Sequence, residues 1–159
     1  MLVLDASSAL YAWDNYPPEQ FPPLWVWMES QLEIGELTIP SVALEEVRHK
    51  YPECAAWLKD KNIFVHPMTQ PILSEALRIK ELLEIREDSY AKGVDENDLL
   101  IIATARIRGA ELLSDELRQP SPDKLKKNYK IPAVCKLPEV SVESLNFVEY
   151  FKRSRETFG

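Results

Sequence analysis

The chain has 159 residues, 45% hydrophobic and 28% charged, with a net charge of −7. That length and balance suit one soluble domain spanning 1–159 with a sizeable core. No apolar run approaches the roughly 18 to 20 residues of a membrane span, so a cytoplasmic protein with no membrane partner is expected. The acidic balance argues against a broad basic nucleic-acid surface, and Cys54 and Cys135 lack the spacing of a zinc site, which leaves two buried thiols as the simple reading.

Leu2-Val3-Leu4 is a short apolar run without polar alternation and reads as a buried parallel strand that ends at Asp5. A short helix is predicted from Ser7 to Trp13, a proline-bearing loop from Tyr16 to Pro23, and a helix from Leu24 to Gly35. Ser41 is expected to cap a helix from Val42 to about Lys50, and Pro52 to restart a helix. Ile63-Phe64-Val65-His66 reads as the second strand, followed by an amphipathic helix over about Gln70 to Ile85. Asp98 heads an apolar, alanine-bearing helix, and Leu112-Leu113 forms a further strand. Ile131-Pro132-Ala133-Val134-Cys135 reads as a short edge strand, and Val142 to about Lys152 as a final helix. Strands alternating with helices predict an α/β domain with a mostly parallel central sheet.

Four acidic points stand at strand ends or on helices: Asp5, Glu46, Asp98 and the pair Asp115-Glu116, the last preceded by Ser114. A carboxylate just past a buried parallel strand faces the crevice where open α/β sheets bind ligands. Dispersed Asp and Glu side chains suit a hard cation such as Mg²⁺ or Mn²⁺, which needs only one or two carboxylates plus water and substrate phosphate. Such an ion reverses the local charge, so an electronegative pocket can still process a phosphodiester. Taken singly, Asp98 could serve the helix dipole, Glu45 and Glu46 could be solvated, and Ser114-Asp115-Glu116 could be a turn. Basic clusters at Arg48-His49-Lys50, Lys124 to Lys127 and Lys152 to Arg155 could hold a nucleic-acid backbone or be solvated helix faces.

Asp5-Ala6-Ser7-Ser8-Ala9-Leu10-Tyr11, Ile39-Pro40-Ser41 with Glu46-Val47, the stretch Asp98 to Ala105, and Leu113-Ser114-Asp115-Glu116 resemble, in order over nearly the whole chain, the four motifs of PIN-domain nucleases. Trp25-Val26-Trp27, Ile39-Pro40 and Lys130 to Cys135 resemble a prokaryotic subgroup near the VapC-type toxins. The resemblance implies a three-layer α/β/α fold and a metal-dependent endoribonuclease acting on RNA, often paired with an antitoxin and often a homodimer. By position, Asp5, Glu46 and Asp98 would bind metal and Ser7 would support the first. Where the family has Thr-x-Asp this chain has Ser114-Asp115-Glu116, so either Asp115 or Glu116 would be the fourth acid, with Ser114 in support. Glu45 competes less well with Glu46.

A second reading from another class is a catalytically inactive PIN-like module that binds a partner protein through Trp13, Trp25, Trp27 and Trp57, although aromatic residues at helical spacing more often belong to the core. A haloacid-dehalogenase-type phosphatase would want a second Asp at position 7, which is serine. No phosphate-cradling glycine motif occurs, and His49 and His66 are isolated, which gives a catalytic triad little support.

Overall fold

A computed structural model describes all residues 1–159. Its centre is a five-stranded, wholly parallel sheet in the order β3-β2-β1-β4-β5, built from β1 (Leu2–Leu4), β2 (Leu37–Pro40), β3 (Phe64–His66), β4 (Glu111–Leu113) and β5 (Ser144–Leu145). Parallel pairing requires a crossover between successive strands. Helices supply it: α1 (Ala6–Asn15) and α2 (Pro22–Glu33), then α3 (Ser41–Lys50) and α4 (Pro52–Asp60), then α5 (Gln70–Leu82) and α6 (Glu96–Arg108), and finally α7 (Ile131–Lys136). The chain closes with α8 (Phe147–Ser154).

β1 is fully buried between β2 and β4, which explains its unbroken apolar run. From β1 the first two crossovers move outward to β2 and β3; the third returns past β1 to place β4 on its other side. The strand order therefore reverses between β1 and β4, and a crevice opens at their carboxyl ends. One hydrophobic core spans the sheet and its helices, with Leu2, Leu4, Leu37, Ile39, Ile101, Ile102 and Leu112 among its fully buried side chains.

The second strand in the chain is Leu37–Pro40, not Ile63–His66, which supplies the third. Thr38 and Pro40 interrupt the apolar signal of β2, yet all four of its residues are buried. The fold accommodates Thr38 because its hydroxyl donates to the Leu2 carbonyl at 2.8 Å and lies 2.8 Å from His66 Nε2. Helix α3 begins at Ser41 itself, with Pro40 in the capping position and no side-chain cap, so Ser41 is not the N-cap. The long helix expected to reach Ile85 stops at Leu82, although Leu83 and Ile85 remain in the core.

Two sequence expectations near the C-terminus are corrected. Ile131 to Cys135 is helix α7 and not an edge strand: Pro132 sits in the first turn, where its missing N–H costs no helical bond, and all five residues are buried. The stretch from Val142 does not start a helix. Ser144 and Leu145 pair with β4 instead, and Asn146 then caps α8 in a reciprocal box, accepting from the Glu149 N–H at 2.8 Å while Glu149 Oε1 accepts from the Asn146 N–H at 3.0 Å. No helix is long and apolar enough to cross a membrane.

Candidate active site

Asp5 is the first residue past β1 and is 2% exposed. Its backbone N–H continues the ladder to the Leu113 carbonyl at 2.9 Å, which ties it to the end of β4. Two serines then link its carboxylate to the turn after that strand. The Ser7 hydroxyl donates to Asp5 Oδ2 and accepts from the Asp115 N–H at 2.9 Å. The Ser114 hydroxyl donates to the same oxygen at 3.0 Å and receives the Glu116 N–H at 3.2 Å. Each hydroxyl thus spends its lone pair on the turn and its proton on Asp5, fixing the carboxylate against the backbone of a distant segment.

Asp98 enters from the third residue of α6. It forms a capping box with Asp95: Asp98 Oδ2 accepts from the Asp95 N–H at 3.0 Å, and Asp95 Oδ1 accepts from the Asp98 N–H at 2.8 Å. The box leaves the second oxygen of Asp98 without a protein donor. Glu46 comes from the middle of α3, half-buried, and its Oε1 receives the Asn97 side-chain amide at 2.9 Å. Neighbouring Glu45 is exposed and ion-paired with Arg48, so the fold separates two adjacent glutamates by face.

The acids sense one another. Desolvation raises Asp5 from 3.8 to about 6 against the opposing hydrogen bonds of Ser7 and Ser114, and the negative charges of Glu116 and Glu46 push it further upward. Burial likewise raises Asp98 well above the ordinary carboxylate range, opposed by the Asp95 N–H and reinforced by the charges of Asp95, Asp5 and Glu116. Four chain segments therefore bring Asp5, Glu46, Asp98 and Glu116 into one electrostatic neighbourhood. Asp115 is engaged elsewhere: its Oδ1 accepts from the Ser8 hydroxyl and from the Phe147 N–H at 3.0 Å, tying α1 to the start of α8.

None of the chain's ion pairs includes any of these five acids. A buried carboxylate without a counter-cation is costly unless it is protonated or meets a metal. The donor set, all oxygen, fits Mg²⁺ or Mn²⁺. No three His, Cys, Asp or Glu side chains are gathered tightly enough to hold an ion alone. That suits a cation which keeps much of its water and takes its remaining ligands from a phosphate.

Two contributors escaped the sequence reading. Ser8 was visible only as half of a serine doublet, and nothing in the sequence marked Asn97 as the partner of Glu46. Both cysteines are free and buried, as expected. Trp25 is buried, packed edge-to-face on Trp13 at 5.3 Å and Trp57 at 4.8 Å, so these three tryptophans are used in internal packing.

Over residues 2–158 the sequence matches the family model described as a domain of unknown function, DUF4411. The chain belongs to that family. No curated protein matches it. Among solved structures, the family member resembles VapBC2 from Rickettsia felis bound to a promoter DNA fragment, with a TM-score of 0.58 at 16% identity over 92% of this chain and 98% of that one. It also resembles DNA-bound VapBC from Salmonella typhimurium, with a TM-score of 0.57 at 14% identity over 91% and 96% of the two chains. FitAcB from Neisseria gonorrhoeae gives 0.52 at 15% over 92% and 97%. At such identities the likeness establishes the fold: this DUF4411 chain is a VapC-like PIN fold, α/β with a parallel sheet flanked by helices.

Proposed function

We propose that the chain is a Mg²⁺- or Mn²⁺-dependent endoribonuclease that hydrolyses RNA phosphodiester bonds, and that it is the toxin of a toxin–antitoxin pair. The observation that carries this reading is the convergence of Asp5, Glu46, Asp98 and Glu116, unpaired with any cation, at the point where the strand order reverses. The fold likeness to VapBC and FitAcB supports it. Asp5, Glu46, Asp98 and Glu116 would hold the ion, Ser7 and Ser114 would orient Asp5, and Asp115 would fix the wall of the site. A bound divalent ion would supply charge stabilisation at the phosphate and acidify an attacking water. The carboxylates would bind and orient; the serines would keep a proton on the face of Asp5 away from the ion.

The test is cleavage of RNA by the purified protein with Mn²⁺ or Mg²⁺, against EDTA and against Asp5→Asn and Asp98→Asn. Loss of cleavage in EDTA and in both variants is expected; unchanged cleavage in either variant overturns the reading. Growth arrest on expression, absent for Asp5→Asn and relieved by a co-expressed partner protein, is the expected mark of a toxin. Light scattering reports whether the chain is also a homodimer. An inactive binding module would instead show no Mn²⁺ binding by calorimetry, and the internal packing of Trp13, Trp25 and Trp57 leaves that reading less aromatic surface.

A further inference from the structure

Beside the acids lies a groove of about 530 Å³ that shares Ser7 and Asp115 with them and continues past Tyr11 and Asp14 to Lys50 and Tyr51. Ser7, Tyr11 and Asp14 follow one another at helical spacing on α1, so this wall runs roughly 10 Å outward from the site, about the length of one or two nucleotides of extended strand. The facing wall is the junction of α3 and α4. Tyr51 is held there by its own N–H, which donates to the Val47 carbonyl at 2.7 Å, and by its carbonyl, which receives the N–H groups of Cys54 at 3.0 Å and Ala55 at 3.2 Å. Its side chain is 37% exposed, and its hydroxyl lies 3.4 Å from Asp14 Oδ1.

The charges are uneven. Lys50 is the one basic side chain lining the groove, and no ion pair engages it. Two acids, Asp14 and Asp115, line the same space, which disfavours a continuous track of phosphates. What the groove offers is a fixed tyrosine face, a second tyrosine beside it, one cation and hydrogen-bond acceptors. That combination suits a base laid on an aromatic ring with a single phosphate at Lys50. Bases inside a duplex are already stacked on one another and cannot present a face to a side chain.

We propose that this groove is a subsite for an unpaired nucleotide next to the scissile bond, with Tyr51 as the stacking platform and Lys50 as the phosphate contact, so that the substrate is single-stranded RNA. The inference rests on the ribonuclease reading above and adds to it the strandedness of the substrate.

The experiment uses the full chain carrying Asp98→Asn, which retains an oxygen able to accept the Asp95 N–H, with Mn²⁺ and a fluorescein-labelled RNA of about a dozen nucleotides, alone or annealed to its complement. Anisotropy should show the single strand bound and the duplex bound at least tenfold more weakly. Adding Tyr51→Ala or Lys50→Ala should weaken single-strand binding roughly tenfold, while Tyr51→Phe, which keeps the ring, changes it less than about twofold. In the otherwise wild-type enzyme, Tyr51→Ala should raise KM with little change in kcat. Equal binding of single strand and duplex, or single-strand binding unaltered by Tyr51→Ala, overturns the subsite while metal-dependent cleavage by the wild type still stands. Failure of the wild type to cut or bind any RNA with Mn²⁺ overturns the ribonuclease reading and the subsite with it.

Discussion

The side-chain amide of Asn97 donates to Glu46 Oε1 at 2.9 Å, joining α6 to α3 across 51 residues of sequence. Asn97 immediately precedes Asp98, so the first turn of α6 delivers one acid and steers another. An amide can donate to a carboxylate without adding charge, which holds Glu46 in place while leaving its second oxygen available. Groups that orient a metal-binding carboxylate typically alter affinity by ten- to a hundredfold when removed.

Asn97→Ala should therefore weaken Mn²⁺ binding roughly tenfold, measured by calorimetry, with a small change in thermal stability because the residue is only half-buried. Unaltered Mn²⁺ affinity would show that Glu46 needs no such support.

The two candidates for the fourth acid should separate into different phenotypes. Asp115 anchors Ser8 and the first N–H of α8, so Asp115→Ala should cost about 2 kcal/mol through lost capping and hydrogen bonding, read as a fall of several degrees in Tm. Glu116 has no side-chain partner among the hydrogen bonds and adds its charge to Asp5 and Asp98. Glu116→Gln should leave Tm near wild type while lowering Mn²⁺ affinity. The reverse pattern would assign Asp115 to the ion.

Burial lifts Asp5 from 3.8 to about 6, so at intermediate pH the folded chain holds a proton that the unfolded chain has released. The contribution to stability is fully present below pH 3.8 and is lost as the pH rises through about 6, amounting to on the order of 3 kcal/mol once the loss is complete. Asp98, also raised, extends the loss to higher pH. In EDTA, Asp5→Asn should be more stable than wild type at pH 8 and close to it at pH 4. Mn²⁺ should raise the wild-type Tm far more at pH 8 than at pH 5, because binding must displace the proton. Parallel pH–Tm curves for the two proteins would contradict this account.

Gly93 precedes α6 where the chain passes against the backbone of residues 127–129. A Cβ at this position would lie 2.4 Å from the Tyr129 carbonyl oxygen and 2.5 Å from that of Lys127. Since Val94 N–H also bonds the Tyr129 carbonyl at 2.9 Å, neither strand of this contact can retreat freely. Gly93→Ala should cost about 1 to 3 kcal/mol and, by displacing the segment that leads into the Asp95–Asp98 cap, should weaken Mn²⁺ binding as well. A wild-type melting curve for this variant would show that the loop yields without cost.

Taken alone, the sequence determined which residues would end strands and head helices. The apolar run Leu2-Val3-Leu4 can only be buried, so the charge that follows it must lie at the sheet's edge; likewise Leu112-Leu113 sets the position of Ser114. Periodicity and terminators act through near neighbours and are readable locally, which is why α4, α5 and α6 were legible. Where a local signal was ambiguous, long-range partners decided. Thr38 is tolerated inside β2 only because Leu2 and His66 satisfy its hydroxyl, and Ile131 to Cys135 is helical because its five buried residues pack into the core with Pro132 in the first turn. Tertiary structure alone chose Glu46 over Glu45, by giving one to Asn97 and the other to Arg48. It likewise placed Glu116 with the acids and Asp115 against α8. Such choices depend on which atoms meet across the fold, and adjacent residues of the same chemistry carry no mark of that in their order.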